Sequence, residues 1–163
     1  MKIMVFTEGT LTMAKCGKGV SREERVEQVK QGLPDVDDFK TYVPVENAVD
    51  KLKTWMREGA AICYLTSRRD PAEVQLVKDT LNKYFFPDGE VYFCKVDEDY
   101  GDVALRVMPD ALIEDDCESI GGEAEMTYPK LPAEERAQIK SIIVKEFEGI
   151  DNLPGDLNEL TSL

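Results

Sequence analysis

The chain has 163 residues and carries 33 acidic against 20 basic side chains, which gives a net charge of −13. The length is typical of one domain, and a hydrophobic share of 42% argues against a disordered chain. The acidic balance argues against binding to a nucleic-acid backbone, and no apolar run approaches the ~20 residues of a membrane-spanning helix. The absence of histidine excludes every site that needs an imidazole.

Four cysteines occur in the chain, and none forms a C-x-x-C pair. A thiolate zinc site and a thioredoxin-like motif are therefore both disfavoured. Cys63 and Cys94 lie within apolar runs, which predicts buried, reduced thiols and a cytoplasmic protein. Nothing in the pattern indicates an oligomeric state.

The acidic side chains are concentrated in residues 86–126, which hold 13 acids but only Lys95 and Arg106 as bases. A charged segment of this kind is most often a solvated face. The alternative is that some of its carboxylates bind a divalent cation, because hard cations prefer oxygen ligands.

The N-terminal part of the chain alternates between strand and helix patterns. Residues 2–6, KIMVF, predict a short buried strand, which a glycine-rich polar loop follows. Ser21 and Glu24 have the spacing of a capping box and predict a short helix over 21–31. Residues 46–58 predict an amphipathic helix.

The same alternation continues towards the C-terminus. Residues 60–65, AAICYL, predict a second buried strand. Asp70 and Pro71 predict the start of a helix over 70–85. The further predicted elements are a strand over 90–94, a helix over 99–108, a strand over 111–114, a helix from Pro132 to about residue 139, a strand over 141–146 and an irregular tail over 147–163.

Apolar strands that alternate with helices predict an α/β fold. We expect one domain over 1–163, a three-layer α/β/α sandwich with a mostly parallel, Rossmann-like sheet and helices on both faces. In such sheets the functional site lies outside the carboxyl ends of the strands. The polar side chains that follow the strands are Thr7 and Glu8, then Thr66, Ser67 and Arg68, then Asp115 and Asp116.

Three segments, in this order, resemble motifs of the haloacid dehalogenase (HAD) superfamily of phosphohydrolases. MVFTEGTL at 4–11 is similar to the family's strand followed by D-x-D-G-T. AICYLTSR at 61–68 is similar to its strand that ends in Thr or Ser, and ALIEDD at 111–116 to its strand that ends in paired aspartates. The resemblance implies a HAD-like sheet, with residues 12–45 in the place of a minimal cap insertion.

The resemblance also implies roles for individual residues. Glu8 falls on the family's acid/base position, while Thr7 or Phe6 falls where the nucleophilic aspartate is expected. Lys95 is the candidate for the family's lysine. The remaining implied roles are phosphate binding for Thr66, Ser67 and Arg68, and Mg²⁺ binding for Glu8, Asp115 and Asp116.

The missing nucleophile shapes the predicted function. The resemblance favours a divergent, catalytically impaired protein or pseudoenzyme that keeps a phosphate and Mg²⁺ site for a phosphorylated ligand. One alternative is an active Mg²⁺-dependent phosphohydrolase with the unusual TEGT first motif. A second alternative is an acidic protein-interaction module.

Overall fold

A five-stranded sheet runs through the centre of the computed structural model, which describes residues 1–163. The strands in chain order are β1 (Lys2–Phe6), β2 (Thr12–Met13), β3 (Val43–Pro44), β4 (Ala61–Leu65), β5 (Val91–Tyr92), β6 (Ala111–Asp115) and β7 (Lys140–Val144). The central sheet has the order β5-β4-β1-β6-β7, and every neighbouring pair in it is parallel. The predicted parallel sheet is therefore confirmed. β2 and β3 form a separate antiparallel pair.

Helices cover both faces of the sheet, as the alternation predicts. They are α1 (Arg22–Lys30), α2 (Ala48–Arg57), α3 (Pro71–Lys83), α4 (Tyr100–Val107), α5 (Ala133–Arg136) and α6 (Leu157–Thr161). The capping residues predicted for α1 and α3 make the expected bonds. Ser21 and Glu24 form a reciprocal capping box, and the Asp70 carboxylate accepts from the first-turn N–H groups of α3. None of the helices is long and apolar enough to cross a membrane.

Alternation of side chains along the strands divides the core into two main layers. On one face, Ile3 and Val5 of β1 pack in a cluster with Leu52 and Trp55 of α2 and with residues of α3 and α6. On the other face, Met4 packs with residues of α4 and with β4 and β6 side chains. This arrangement confirms the three-layer α/β/α sandwich.

Several predicted boundaries differ from the structure. The strand predicted over 90–94 pairs only at Val91–Tyr92, and the helix predicted from Pro132 is a single turn, Ala133–Arg136. The tail predicted as irregular ends in α6, whose Leu160 is fully buried in the core. Tertiary burial stabilises this short helix, because a helix of five residues is not stable alone.

The parallel register brings the carboxyl ends of β1, β4 and β6 to one edge of the sheet. Phe6 pairs with Leu65 across β1 and β4, and Val5 pairs with Ile113 across β1 and β6. The residues that follow these strands therefore converge, as the strand order requires.

Candidate functional site

The Glu8 carboxylate lies in a pocket of hydrogen-bond donors between the ends of β1 and β4. It accepts from the Thr66 hydroxyl at 2.5 Å, the Thr7 hydroxyl at 2.7 Å and the Ser67 N–H at 3.1 Å. These include donors that the sequence assigned to a phosphate. A phosphate at Thr66 would have to displace the protein's own carboxylate.

Of the predicted catalytic residues, Thr7 and Glu8 are in contact, but Lys95 does not join them. Thr7 is fully buried, so its hydroxyl is not available to an incoming molecule. Lys95 is exposed and lines a separate hollow with Arg106 at the β5 edge of the sheet.

Asp115, the last residue of β6, is 4% exposed and is held by two donors. The Thr10 hydroxyl donates to Oδ2 at 2.8 Å, and the Cys117 N–H donates to Oδ1 at 3.0 Å. Gly9 passes so close that a Cβ there would lie 2.7 Å from Asp115 Oδ2. Glycine is therefore required at position 9, where φ is also +80°.

Glu146 and Asp116 complete an acidic group with Asp115. One carboxylate oxygen from each residue lies within 4.8 Å of the others. The Glu146 carboxylate is 5% exposed and accepts from the Ser119 hydroxyl and N–H at 2.6 and 2.7 Å. Glu8, which was predicted as a metal ligand, is not part of this group, and Glu146 takes its place.

Burial of these carboxylates raises their affinity for protons. It raises the pKa of Asp115 to about 7, and the neighbouring charge of Glu146 adds to the rise. Burial also raises the pKa of Glu146 above its usual range. No lysine or arginine nitrogen lies within 4.0 Å of either carboxylate, and the nearest pair in the group is Arg22 with Asp116 at 4.0 Å.

Cys117 does not supply a reactive thiolate at this edge. Burial raises the pKa of its thiol, and the charge of Asp115 raises it further. At neutral pH the side chain is therefore a neutral thiol, and the cysteine contributes to the site through its backbone N–H.

A cavity of about 160 Å³ opens above these strand ends. Aromatic rings form much of its wall, and five carboxylates reach it together with one arginine, Arg68. The aromatic residues are Phe6, Phe39, Tyr42, Tyr100 and Phe147. The carboxylates are Glu8, Asp37, Asp115, Glu125 and Glu146. The cavity therefore combines apolar walls with a strong excess of negative charge.

Only some of the predicted site residues line this cavity. Glu8, Ser67, Arg68 and Asp115 line the cavity, whereas Asp116 lies beside it in the acidic group. Thr7 and Thr66 are buried and do not line the cavity, although both donate hydrogen bonds to Glu8, which does.

Sequence reasoning missed Glu146 and the aromatic residues of the 34–42 segment. Glu146 follows β7 by two residues, so the rule that identified the other strand-end acids applies to it as well. The strand predicted over 141–146 includes Glu146, whereas β7 ends at Val144 and leaves Glu146 beyond the strand end. No local pattern indicates that Phe39 and Tyr42 would cover the cavity.

Comparisons with known proteins correct the family prediction. No protein-family model matches the chain, and no curated protein matches it. Among solved structures, the chain is similar to a universal stress protein in complex with cAMP. The identity is 13%, the match covers 90% of this chain and 95% of that chain, and the TM-score is 0.37.

The HAD family assignment is therefore wrong, since no family model matches the chain and the solved structure named above is a universal stress protein. The predicted functions of a HAD-like pseudoenzyme or an active HAD-like phosphohydrolase are wrong with it. The likeness to the universal stress protein is too distant to supply a function in their place.

Proposed function

We propose that the protein binds a small, positively charged organic molecule in the cavity at the carboxyl edge of the sheet. The observation that carries the proposal is the pair of nearly buried carboxylates, Asp115 and Glu146, which line the cavity without a lysine or arginine partner. A buried carboxylate is costly unless a proton, a cation or hydrogen bonds compensate it. Each of the two accepts two hydrogen bonds from the protein, and a ligand cation offsets the remaining cost together with their mutual repulsion.

The aromatic wall supports an organic cation. Rings attract a positive charge placed over their faces, and several rings in the same cavity as the carboxylate pair favour a protonated amine over a neutral ligand. The volume of this cavity, about 160 Å³, also suits such a ligand, because a cavity of about 150 Å³ holds one benzene ring. We therefore expect a primary amine that carries about one ring or a short aliphatic chain.

Calorimetric titration with a panel of primary amines, beginning with benzylamine, tests the proposal against the corresponding alcohols. We expect the best amine to bind at least about tenfold more tightly than its alcohol, because the alcohol has no charge. Asp115→Asn and Glu146→Gln should each weaken amine binding. Glu134→Gln, which removes an exposed carboxylate outside the cavity, should leave it unchanged.

The pH dependence gives a further check on the same titration. Asp115 attracts the amine only after it has lost its proton, so amine affinity should rise as pH increases through about 7. An amine affinity that equals that of the alcohol, or that is unchanged in both variants, would contradict the proposal.

A divalent cation is the second candidate ligand, and the spacing of Asp115, Asp116 and Glu146 favours it. Their oxygens lie within 4.8 Å of one another, and small rearrangements would bring three ligands around Mg²⁺ or Ca²⁺. A variant at Asp116 distinguishes the divalent cation from the organic amine, because Asp116 belongs to the acidic group but does not line the cavity. Asp116→Asn should weaken metal binding and spare amine binding. Metal titrations in which this variant matches the unmodified protein would contradict a metal site here.

A further inference from the structure

Arg68 is the only positively charged side chain that lines the cavity, and it has no ion-pair partner. Its Nε and Nη2 groups both donate to the Ser67 hydroxyl oxygen, at 3.0 and 2.7 Å. Its guanidinium lies over the Phe39 ring, 4.1 Å from the centroid. No carboxylate oxygen lies within 4.0 Å of it, although the chain carries 33 acids and five of them line the same cavity.

The contacts of Arg68 hold the guanidinium in place without neutralising it. Ser67 and Phe39 restrict its orientation, while Nη1 makes no hydrogen bond within the protein. A fixed guanidinium with a free terminal nitrogen is suited to a planar carboxylate, because the entropy of ordering the side chain is already lost.

The cavity therefore presents one ordered positive group and, at Asp115 and Glu146, a pair of buried negative groups. A simple amine satisfies the carboxylates but leaves Arg68 unpaired. A simple anion pairs with Arg68 but faces five carboxylates, and a phosphate dianion faces the same repulsion at twice the charge. Only a molecule with both charges matches both sets of groups.

From this pairing of opposite groups in one small cavity, we propose that the ligand is a zwitterion with an ammonium and a carboxylate group, of the chemical class of an α-amino acid. Arg68 binds the carboxylate, and Asp115 with Glu146 binds the ammonium. The assignment deepens the proposed function and rests on it. The volume of about 160 Å³ suits a molecule of this size.

The test compares three sets of probes by calorimetry: the standard amino acids, their decarboxylated amines and their deaminated acids. For the best amino acid, we expect binding at least about tenfold tighter than that of its own amine, as expected for a bidentate carboxylate contact. Arg68→Gln should abolish this difference by weakening amino-acid binding, and it should not weaken amine binding, because it removes a positive charge that repels the ammonium. Arg68→Lys should keep part of the difference, because it retains the charge and loses the planar fork.

Arg69→Gln is the matched control, since it removes the same charge from the neighbouring, exposed residue that does not line the cavity. It should retain the full preference for the amino acid. Thermal unfolding of each variant shows whether Arg68 has a purely structural role instead of a role in binding. If Arg68→Gln lowers the unfolding temperature while the preference for the amino acid persists, the proposal is overturned.

The outcomes also separate this inference from the proposed function. If amines bind and no amino acid exceeds its amine, the zwitterion assignment fails and the cation-binding function stands. If deaminated acids bind as tightly as the amino acids, or if no probe of any set binds, both proposals fail.

Discussion

Glu114 and Asp115 are adjacent on β6, and both are almost completely buried, yet their surroundings differ. Glu114 points to the face of the sheet where the 127–128 turn packs, and accepts from the N–H groups of Thr127 and Tyr128 at 2.6 and 2.8 Å. Asp115 points to the cavity and shares its surroundings with the like-charged Glu146 and Asp116. One carboxylate binds backbone groups within the fold, and the other lines the cavity.

Burial alone therefore does not distinguish a carboxylate that holds the fold together from one that lines the cavity. Burial raises the pKa of both groups, and both accept from backbone N–H groups, but only Asp115 lies in a cluster with other carboxylates. The partners of Glu114 are backbone N–H groups that would be unsatisfied without it. Beside Asp115 the neighbouring groups include further carboxylates, so the local electrostatics favour an added positive charge.

The largest expected effect comes from removing Glu114. Glu114→Ala leaves the buried Thr127 N–H and the partly buried Tyr128 N–H without an acceptor, and we expect a loss of about 3 kcal/mol in the free energy of unfolding. Glu114→Gln should cost less, since its amide oxygen still serves one of the two donors. Asp115→Asn should change stability by less than about 1 kcal/mol at a pH near 6, where Asp115 is largely protonated. Urea unfolding measures the stability of all three variants. Equal losses from Glu114→Ala and Asp115→Asn would contradict the different roles assigned to these two carboxylates.

The raised pKa of Asp115 predicts that the stability of the protein depends on pH. A carboxyl whose pKa is raised on folding holds its proton in the native state and loses it in the unfolded state, so stability falls as pH rises from about 4 to about 7. Between about pH 5.5 and pH 8 we expect a loss of about 2 kcal/mol from Asp115. Glu114 and Glu146 contribute in the same direction.

Denaturant unfolding at the two pH values, in the unmodified protein and in Asp115→Asn, isolates this contribution. The variant should show a shallower decline, by about the amount assigned to Asp115. Parallel pH profiles would mean that Asp115 titrates at its ordinary pKa.

The smallest expected effect concerns the hydroxyl that holds Asp115 on the cavity side. Thr10 is fully buried, and Thr10→Val removes its donor to Asp115 Oδ2 while keeping the shape of the side chain. We expect a loss of about 1 kcal/mol at a pH near 8, where Asp115 is charged, and a smaller loss near pH 5.5. Thermal unfolding at both pH values checks the difference. A loss that does not depend on pH would indicate that packing, not the hydrogen bond, accounts for it.

Much of the fold could be predicted because its signals are local. The apolar runs of β1, β4 and β6 are short, bounded and in the right order, and Asp70 marks the start of α3 with its own side chain. α6 could not be predicted in the same way, because its stability depends on Leu160 packing in a core formed by distant residues.

The candidate site could be predicted in part. The strand-end rule identified Glu8, Ser67, Arg68 and Asp115 as neighbours, since parallel strands bring their carboxyl ends to one edge. It could not show that the Glu8 carboxylate would take up the donors of Thr66 and Ser67. That contact depends on side-chain conformation across two strands.

The sequence by itself determined the alternation of strands and helices, the acidic charge and the set of polar residues at the strand ends, because these follow from the order of residues along the chain. Tertiary structure alone decided which of those residues face one another. It placed Glu146 beside Asp115, although 31 positions separate them, and Phe39 against Arg68. The physical reason is that charge repulsion, burial and cavity shape depend on distances in space, which the order of residues does not specify.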